Sequence, residues 1–257
     1  MSESAEPIIQ VKDLTAGYGR TVILEDINFD VQPGEVFTIL GGSGCGKSTL
    51  LKHMIGLRTP MRGQVLIDGT DIVTAQGAER LAVLKKIGVS YQSGALFGSM
   101  NLIENISLVL EEFTDLPGEA MEAIAQMKLS AVGLQDAVYK MPSELSGGMR
   151  KRAAIARALA LDPEVLFLDE PSAGLDPITA AQLDELILEL SESLHITFVV
   201  VTHELASIFA VAQRVIMLDK ARKTIIATGK PQELRDRSED PAVRQFFRRE
   251  AGGSESA

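Results

Sequence analysis

A chain of 257 residues with a net charge of −10, 46% hydrophobic and 23% charged residues, has the length for one large α/β domain or two modest ones and the composition of a soluble globular protein. The acidic balance argues against nucleic acid as the main partner, because phosphate backbones are bound by basic surfaces. A single cysteine, Cys45, excludes an internal disulfide and fits a reducing compartment. Met1–Pro7 has neither the basic nor the apolar region of a secretion signal, and the apolar runs are far short of the roughly 20 residues that span a bilayer. Any membrane attachment is then expected to come from another chain.

In chain order, "PIIQVKDLTAGYG", "ILEDINFDVQPGE" and "GQVLIDGTD" alternate partially and end in turn residues, as strands of a half-exposed sheet do. Between them, "GEVFTILGGSGCGKSTLLKHMIGL" reads as a buried strand, a glycine loop and a helix from about Lys47. Strand signals vanish from about Ser93 to Ser143, which predicts an inserted helical lobe (about 93–145). A helix follows Ser146, then the strand "EVLFLDE". Next comes a helix with Leu183, Leu186, Ile187, Leu190 and Leu194 at 3-and-4 spacing. The strand "ITFVVVTH", a helix from Glu204 and a hairpin "RVIMLDKARKTIIATG" complete the series. Strands alternating with helices imply a mostly parallel sheet covered by helices. The expected division is one nucleotide-binding domain over 1–230 and a C-terminal extension over 231–257, helical around Pro241–Arg249 and ending in a small-residue tail.

Gly41-Gly42-Ser43-Gly44-Cys45-Gly46-Lys47-Ser48 matches the phosphate-loop pattern G-x-x-x-x-G-K-[ST] in full. It also sits where that motif must, after a strand and before a helix. Glycines let the backbone wrap phosphate oxygens with its N–H groups. Lys47 supplies a point charge to the β- and γ-phosphates, and the Ser48 hydroxyl suits Mg²⁺. "VLFLDE" ends a buried strand on Asp169 and Glu170, and ligands bind beyond the carboxyl ends of such strands. Asp169 is therefore expected at the Mg²⁺ and Glu170 at the attacking water, as general base.

A second small phosphate-grasping turn, Ser146-Gly147-Gly148, opens the helix about a hundred residues later. With the phosphate loop and the paired carboxylates already in place, the chain resembles the nucleotide-binding subunit of ATP-binding-cassette (ABC) transporters from about Ile8 to Gly229. The resemblance implies a P-loop NTPase fold with a mostly parallel core sheet, an N-terminal antiparallel β-subdomain and an inserted helical subdomain. Tyr18 in "AGYG" looks like the aromatic that stacks on adenine, and Gly41–Thr49 like the phosphate loop. Gln92 in "SYQSG" looks like the glutamine that touches Mg²⁺ and the water. "LSGGM" (Leu145–Met149) looks like the signature, "SAGLD" (Ser172–Asp176) like the loop after the second carboxylate, and His203 like the histidine at the γ-phosphate. In this family two cassettes pack head to tail, so Ser146, Gly147 and Gly148 are expected to hold the γ-phosphate of ATP bound to a second copy.

"SYQSGALFGSMNLIENI" (Ser90–Ile106), "MPSELSGGMRKRAAIARAL" (Met141–Leu159) and "DPAVRQFF" (Asp240–Phe247) are similar to the ATPase of Mla-type phospholipid transporters of Gram-negative bacteria. Met149, where Gln is usual after SGG, is shared with that subgroup. The implied partners are a second copy of the chain, a multi-spanning permease, a periplasmic MCE-domain lipid-binding protein and a small STAS-domain subunit. The implied place is the cytoplasmic face of the inner membrane. Leu96, Phe97 and Met100 form either a groove for a permease helix or a local cluster closing the lobe. Phe246 and Phe247, with Arg244, Arg248 and Arg249, either dock on the second cassette or end a solvated amphipathic helix. His53 and His195 are given no role.

An importer ATPase for a polar solute shares all this chemistry and differs in its partner; the "YQSGALF" stretch (Tyr91–Phe97) argues against it. Cassette ATPases of translation or DNA repair usually carry two cassettes or a coiled-coil insertion, and neither is found here. A purely regulatory cassette tends to lose the second carboxylate or the histidine, whereas Glu170 and His203 are both present.

Overall fold

The computed structural model describes residues 6–248, which divide into two compact units, 6–73 with 201–248, and 74–200. The first unit opens with β1 (Ile9–Tyr18), β2 (Thr21–Val31), β3 (Val36–Gly41), α1 (Lys47–Met54), β4 (Arg62–Ile67) and β5 (Thr70–Asp71). The second runs through α2 (Gly77–Lys85), β6 (Ile87–Ser90), α3 (Leu102–Phe113), α4 (Gly118–Ala131), α5 (Gly147–Ala158), β7 (Val165–Asp169), α6 (Pro177–Leu194) and β8 (Thr197–Val201). The last residue of β8 returns the chain to the first unit, which closes with α7 (Leu205–Val211), β9 (Arg214–Asp219), β10 (Thr224–Gly229), α8 (Pro231–Arg237) and α9 (Pro241–Arg248).

In the first unit β2, β1, β4 and β5 form an antiparallel sheet in that order. The alternation of β1 is partial because a bulge interrupts it: the register slips between Val11 and Leu14 against β2 and between Lys12 and Thr15 against β4. Asp13 sits there at φ 48, and a Cβ on Gly63 would come within 2.4 Å of its carbonyl oxygen, so only glycine fits opposite the bulge. β3 is buried along its whole length and pairs in parallel with β9, placing Gly41 opposite Leu218; β10 returns antiparallel.

The C-terminal helix corrects the reading of one tail aromatic, Phe247, and leaves Phe246 half-buried and Arg248 exposed. Val243 and Phe247 are buried in one apolar cluster with Leu40, Ile208, Val215 and Met217 of the same chain, and Phe246 meets Phe247 edge-on at 5.4 Å. Phe247 is thus neither solvated nor free for a second cassette. Arg249, named with these residues, lies outside the described residues.

In the second unit β6 and β7 are parallel, Ile87 opposite Val165 and Ser90 opposite Leu168. A Cβ on Gly88 would fall 2.2 Å from the carbonyl oxygen of Ala158; its absence lets the end of α5 seat directly on β6. Leu183, Leu186, Ile187 and Leu190 form the buried face of α6, whereas Leu194, placed on that face by its spacing, is 50% exposed at the helix end. The helical stretch between β6 and β7 contains no strand among the described residues. Its first helix has a reciprocal cap, Asn101 with Glu104. The short helices α2 and α8 were not anticipated.

Candidate functional site

The first unit carries the phosphate loop. β3 delivers the chain to Gly41 and α1 starts at Lys47, capped by Gly46 in the left-handed conformation at φ 108. Gly42, Ser43 and Gly44 are exposed while Gly41, Cys45, Gly46 and Lys47 are buried. The loop therefore turns one rim to solvent and fixes the other against the core. A Cβ at Gly41 would meet the carbonyl oxygen of Leu218 at 2.5 Å and Cys45 Sγ at 2.6 Å. Lys47 Nζ donates to the carbonyl oxygens of Gly41 at 2.9 Å and Gly42 at 3.4 Å. Ser48 is exposed and Thr49 buried.

Tyr18 is brought to this loop: its hydroxyl lies 3.3 Å from Thr49 Oγ1. Tyr18 is 38% exposed and the Arg58 guanidinium packs over its ring at 4.5 Å, a cation–π contact that the sequence did not announce. His203 is exposed just after β8. The preceding residue, Thr202, donates its backbone N–H to Ile39 of β3 at 3.2 Å and accepts from Glu204 N through its hydroxyl. His53 is fully buried and its Nδ1 lies 2.7 Å from the Thr49 carbonyl; burial lowers its pKa. It is a structural histidine of α1. His195 ends α6 at φ 56.

The second unit carries the carboxylates and the second turn. Asp169 is the last residue of β7. Glu170 follows it, 9% exposed and at φ 48, a left-handed backbone that costs a non-glycine residue about 1–2 kcal/mol and is met at functional positions. Gln92 is exposed beyond the end of β6. Lys151 Nζ links these residues, donating to the carbonyl oxygens of Gln92 at 2.6 Å and Glu170 at 3.1 Å. Sequence reasoning missed Lys151. It lies in the run Arg150-Lys151-Arg152, which reads as a solvated basic face; its one signal was a place four residues after Gly147, on the same side of α5.

Ser146 caps α5, its Oγ accepting from Met149 N at 3.2 Å, and is exposed. Gly147 and Gly148 follow. A Cβ on Gly148 would fall 2.5 Å from Thr179 Cγ2, so the turn lies directly on the start of α6. The Thr179 hydroxyl donates to Asp176 at 2.6 Å, and Asp176 also accepts from the backbone of Ile178 and Thr179 at 3.1 Å. Those hydrogen bonds, the hydroxyl's first, hold its carboxyl below the usual carboxylate range. The residue given a place at the nucleotide is therefore also the N-cap of α6.

The oxygen donors of Ser48, Asp169 and Gln92 are of the hard type that Mg²⁺ takes, and such an ion is commonly held by one or two protein groups together with substrate phosphates. No cluster of three His, Cys, Asp or Glu suited to a metal occurs among the described residues. Nor is any of their helices long and apolar enough to cross a membrane.

Residues 24–173 match the family model described as ABC transporter. The chain is 41% identical over 246 residues to the intermembrane phospholipid transport system ATP-binding protein MlaF of Haemophilus influenzae, covering 96% of this chain and 92% of the relative. It is 44% identical over 239 residues to the probable ribonucleotide transport ATP-binding protein mkl of Mycobacterium leprae, covering 93% and 68%. Among solved structures it is similar to the dimeric post-hydrolysis state of the cassette MJ0796 bound to ADP and Pi (TM-score 0.77, 30% identity, 86% of this chain and 98% of that one). It is also similar to cbiO1 from Clostridium perfringens (TM-score 0.80, 31% identity, 88% and 90%). A phosphate loop, a strand ending in Asp169 with Glu170 directly after it, and a glycine turn opening α5 thus stand within a matched family model and a matched fold: the chain belongs to the ABC transporter family, as an ATP-hydrolysing cassette subunit.

Proposed function

We propose that this chain drives the movement of phospholipid between the inner and outer membranes of a bacterium, hydrolysing ATP at the interface of a dimer of itself. The observation that carries the cargo is the 41% identity to MlaF along nearly the full length of both chains, whereas the match to mkl leaves about a third of that protein uncovered. The partners are then a membrane permease, a periplasmic MCE-domain protein and a STAS-domain subunit, and the chain sits at the cytoplasmic face of the inner membrane through its permease.

Each residue has a defined task in this reading. The Gly41–Thr49 backbone amides bind the phosphates, and Lys47 neutralises charge that builds on the β–γ bridge. Tyr18 stacks on the adenine. Glu170 accepts the proton of the attacking water, which Gln92 orients, and His203 donates to the γ-phosphate. Ser48, Asp169 and Gln92 are the groups suited to Mg²⁺, which when bound supplies charge neutralisation at the phosphate oxygens. Ser146, Gly147 and Gly148 serve the nucleotide of the second copy, and Asp176 lies on that same rim. Supporting the division are the exposure of Ser146 and the dimeric state of the similar cassette MJ0796. Closure on ATP and opening after hydrolysis is the work-producing step.

The test is affinity capture of the chain from its native membrane. Recovery of a permease with an MCE-domain protein is expected. A permease with a solute-binding protein instead would move the cargo to polar solutes and leave the ATPase chemistry as stated.

A further inference from the structure

The run Arg150-Lys151-Arg152 on α5 is split by the fold. Arg150 is exposed and its guanidinium turns back to the carbonyl of Leu145 at 2.6 Å. Arg152 reaches Val132 at 3.2 Å. Lys151, between them, is only 9% exposed. Burying an ammonium is costly unless polar groups replace its water, and lysine is among the residues least often found inside. Its placement therefore needs a reason, and two of the groups that receive it are the carbonyls of Gln92 and Glu170.

Neither carbonyl belongs to a strand or helix ladder. β6 ends at Ser90 and β7 at Asp169, so Gln92 and Glu170 lie just past the ends of neighbouring parallel strands. Glu170 is moreover in a left-handed conformation that persists only where surrounding contacts over-determine it. A cation with three donors at the junction is such a contact. Arg157, six residues further along α5, holds the same loop at a second point, donating to the carbonyl oxygens of Ala95 at 2.7 Å and Gly94 at 3.1 Å.

We propose that Lys151 is a positioning residue for ATP hydrolysis: its buried ammonium fixes the backbones of Glu170 and Gln92 to the helix that begins at Ser146. The base, the water-orienting loop and the turn that meets the second copy's nucleotide then move as one body. Displacement of that turn on dimer closure is thereby passed to the water site without Lys151 touching substrate. The inference rests on the assignment of Glu170 as base and Gln92 as water-orienting group.

The experiment compares Lys151→Met, Lys151→Gln and Arg157→Gln in the full-length chain within its transporter, with Glu170→Gln as reference. Methionine keeps the length of the lysine stem and removes every donor; glutamine keeps two. Lys151→Met is expected to lower kcat by about 10- to 100-fold, the scale of a small misplacement of a catalytic group. The KM for ATP should stay within about twofold, the mark of an interaction absent from substrate binding. Lys151→Gln should recover part of the lost kcat, and Arg157→Gln should fall short of the Lys151→Met loss. Wild-type kcat in Lys151→Met overturns the proposal. So does a parallel change of kcat and KM in which glutamine is no better than methionine, since that is the behaviour of a merely structural residue. If Lys151→Met does not fold, Lys151→Gln carries the test alone: a severalfold lower kcat at unchanged KM supports the proposal, and wild-type kcat overturns it. Normal turnover in Glu170→Gln would instead remove the base assignment, a failure separate from that of Lys151.

Discussion

Lys47 Nζ lies 2.9 Å from the carbonyl oxygen of Gly41, six residues earlier in the same loop. The ammonium is held inside the ring that it closes, at 9% exposure, before any phosphate arrives. Binding then exchanges one oxygen partner for another instead of ordering a free side chain, which lowers its entropic cost. Hydrogen bonds to charged groups are worth about 1.5–3 kcal/mol each. Lys47→Ala should therefore weaken ATP binding by at least about tenfold by titration calorimetry, and retained affinity would remove the role given to Lys47.

Glu170 combines burial with a strained backbone, and its replacement by glutamine keeps the shape while removing the proton acceptor. Glu170→Gln should bind ATP normally, lose about 10²–10⁴ in hydrolysis rate, and accumulate a nucleotide-bound dimer resolved by size-exclusion chromatography with light scattering. Wild-type turnover would mean that another group takes the proton.

The shared-site reading is best tested at Ser146. Gly148 is closed by Thr179, so a side chain there would disturb packing before it disturbed a partner. Ser146 is exposed and its Oγ meets Met149 N; losing that cap costs about 1 kcal/mol. Ser146→Arg should leave ATP affinity of the monomer unchanged and abolish both dimer formation and hydrolysis. Hydrolysis in the variant at the wild-type rate would show that one chain completes the site.

What could be read in the sequence follows from what each interaction requires. The strands β3, β7 and β8 are buried apolar runs and announce themselves, as do the phosphate loop and the turn at Ser146 that opens α5, whose patterns are local. The amphipathic face of α6 was legible through Ile187 and Leu190 but overextended to Leu194, because helix periodicity continues past the point where the core ends. Lys151 and Arg58 were invisible for the opposite reason. Each is a surface-type residue whose position is set by backbone carbonyls or a ring distant in the chain: Gln92 is 59 residues from Lys151. Phe247 was hidden for a similar reason, since the cluster it shares with Leu40 and Met217 exists only after the parallel strands β3 and β9 have been laid side by side.

Burial in that cluster gives a stability prediction. Phe247 is 5% exposed within the cluster that includes Leu40, the residue directly before the phosphate loop. Phe247→Ala should lower unfolding free energy by about 3–5 kcal/mol in urea denaturation. Phe246→Ala, at a half-buried position, should cost less. Unchanged stability in Phe247→Ala together with loss of dimerisation would instead return the tail to the second cassette.

Cys45 offers a chemical test of the loop itself. Its side chain is 2% exposed, and burial pushes its thiol pKa up, with the charge of Lys47 pulling the other way. The reacting species is the thiolate, so both access and ionisation oppose modification at neutral pH. Iodoacetamide should therefore label the native chain slowly whether or not ATP is present, and label it stoichiometrically once urea has unfolded it. Raising the pH should speed the native reaction only as far as burial permits. Rapid native labelling that ATP suppresses would show that the loop opens in solution and that nucleotide, not the packing of Gly41 against Leu218, holds it closed.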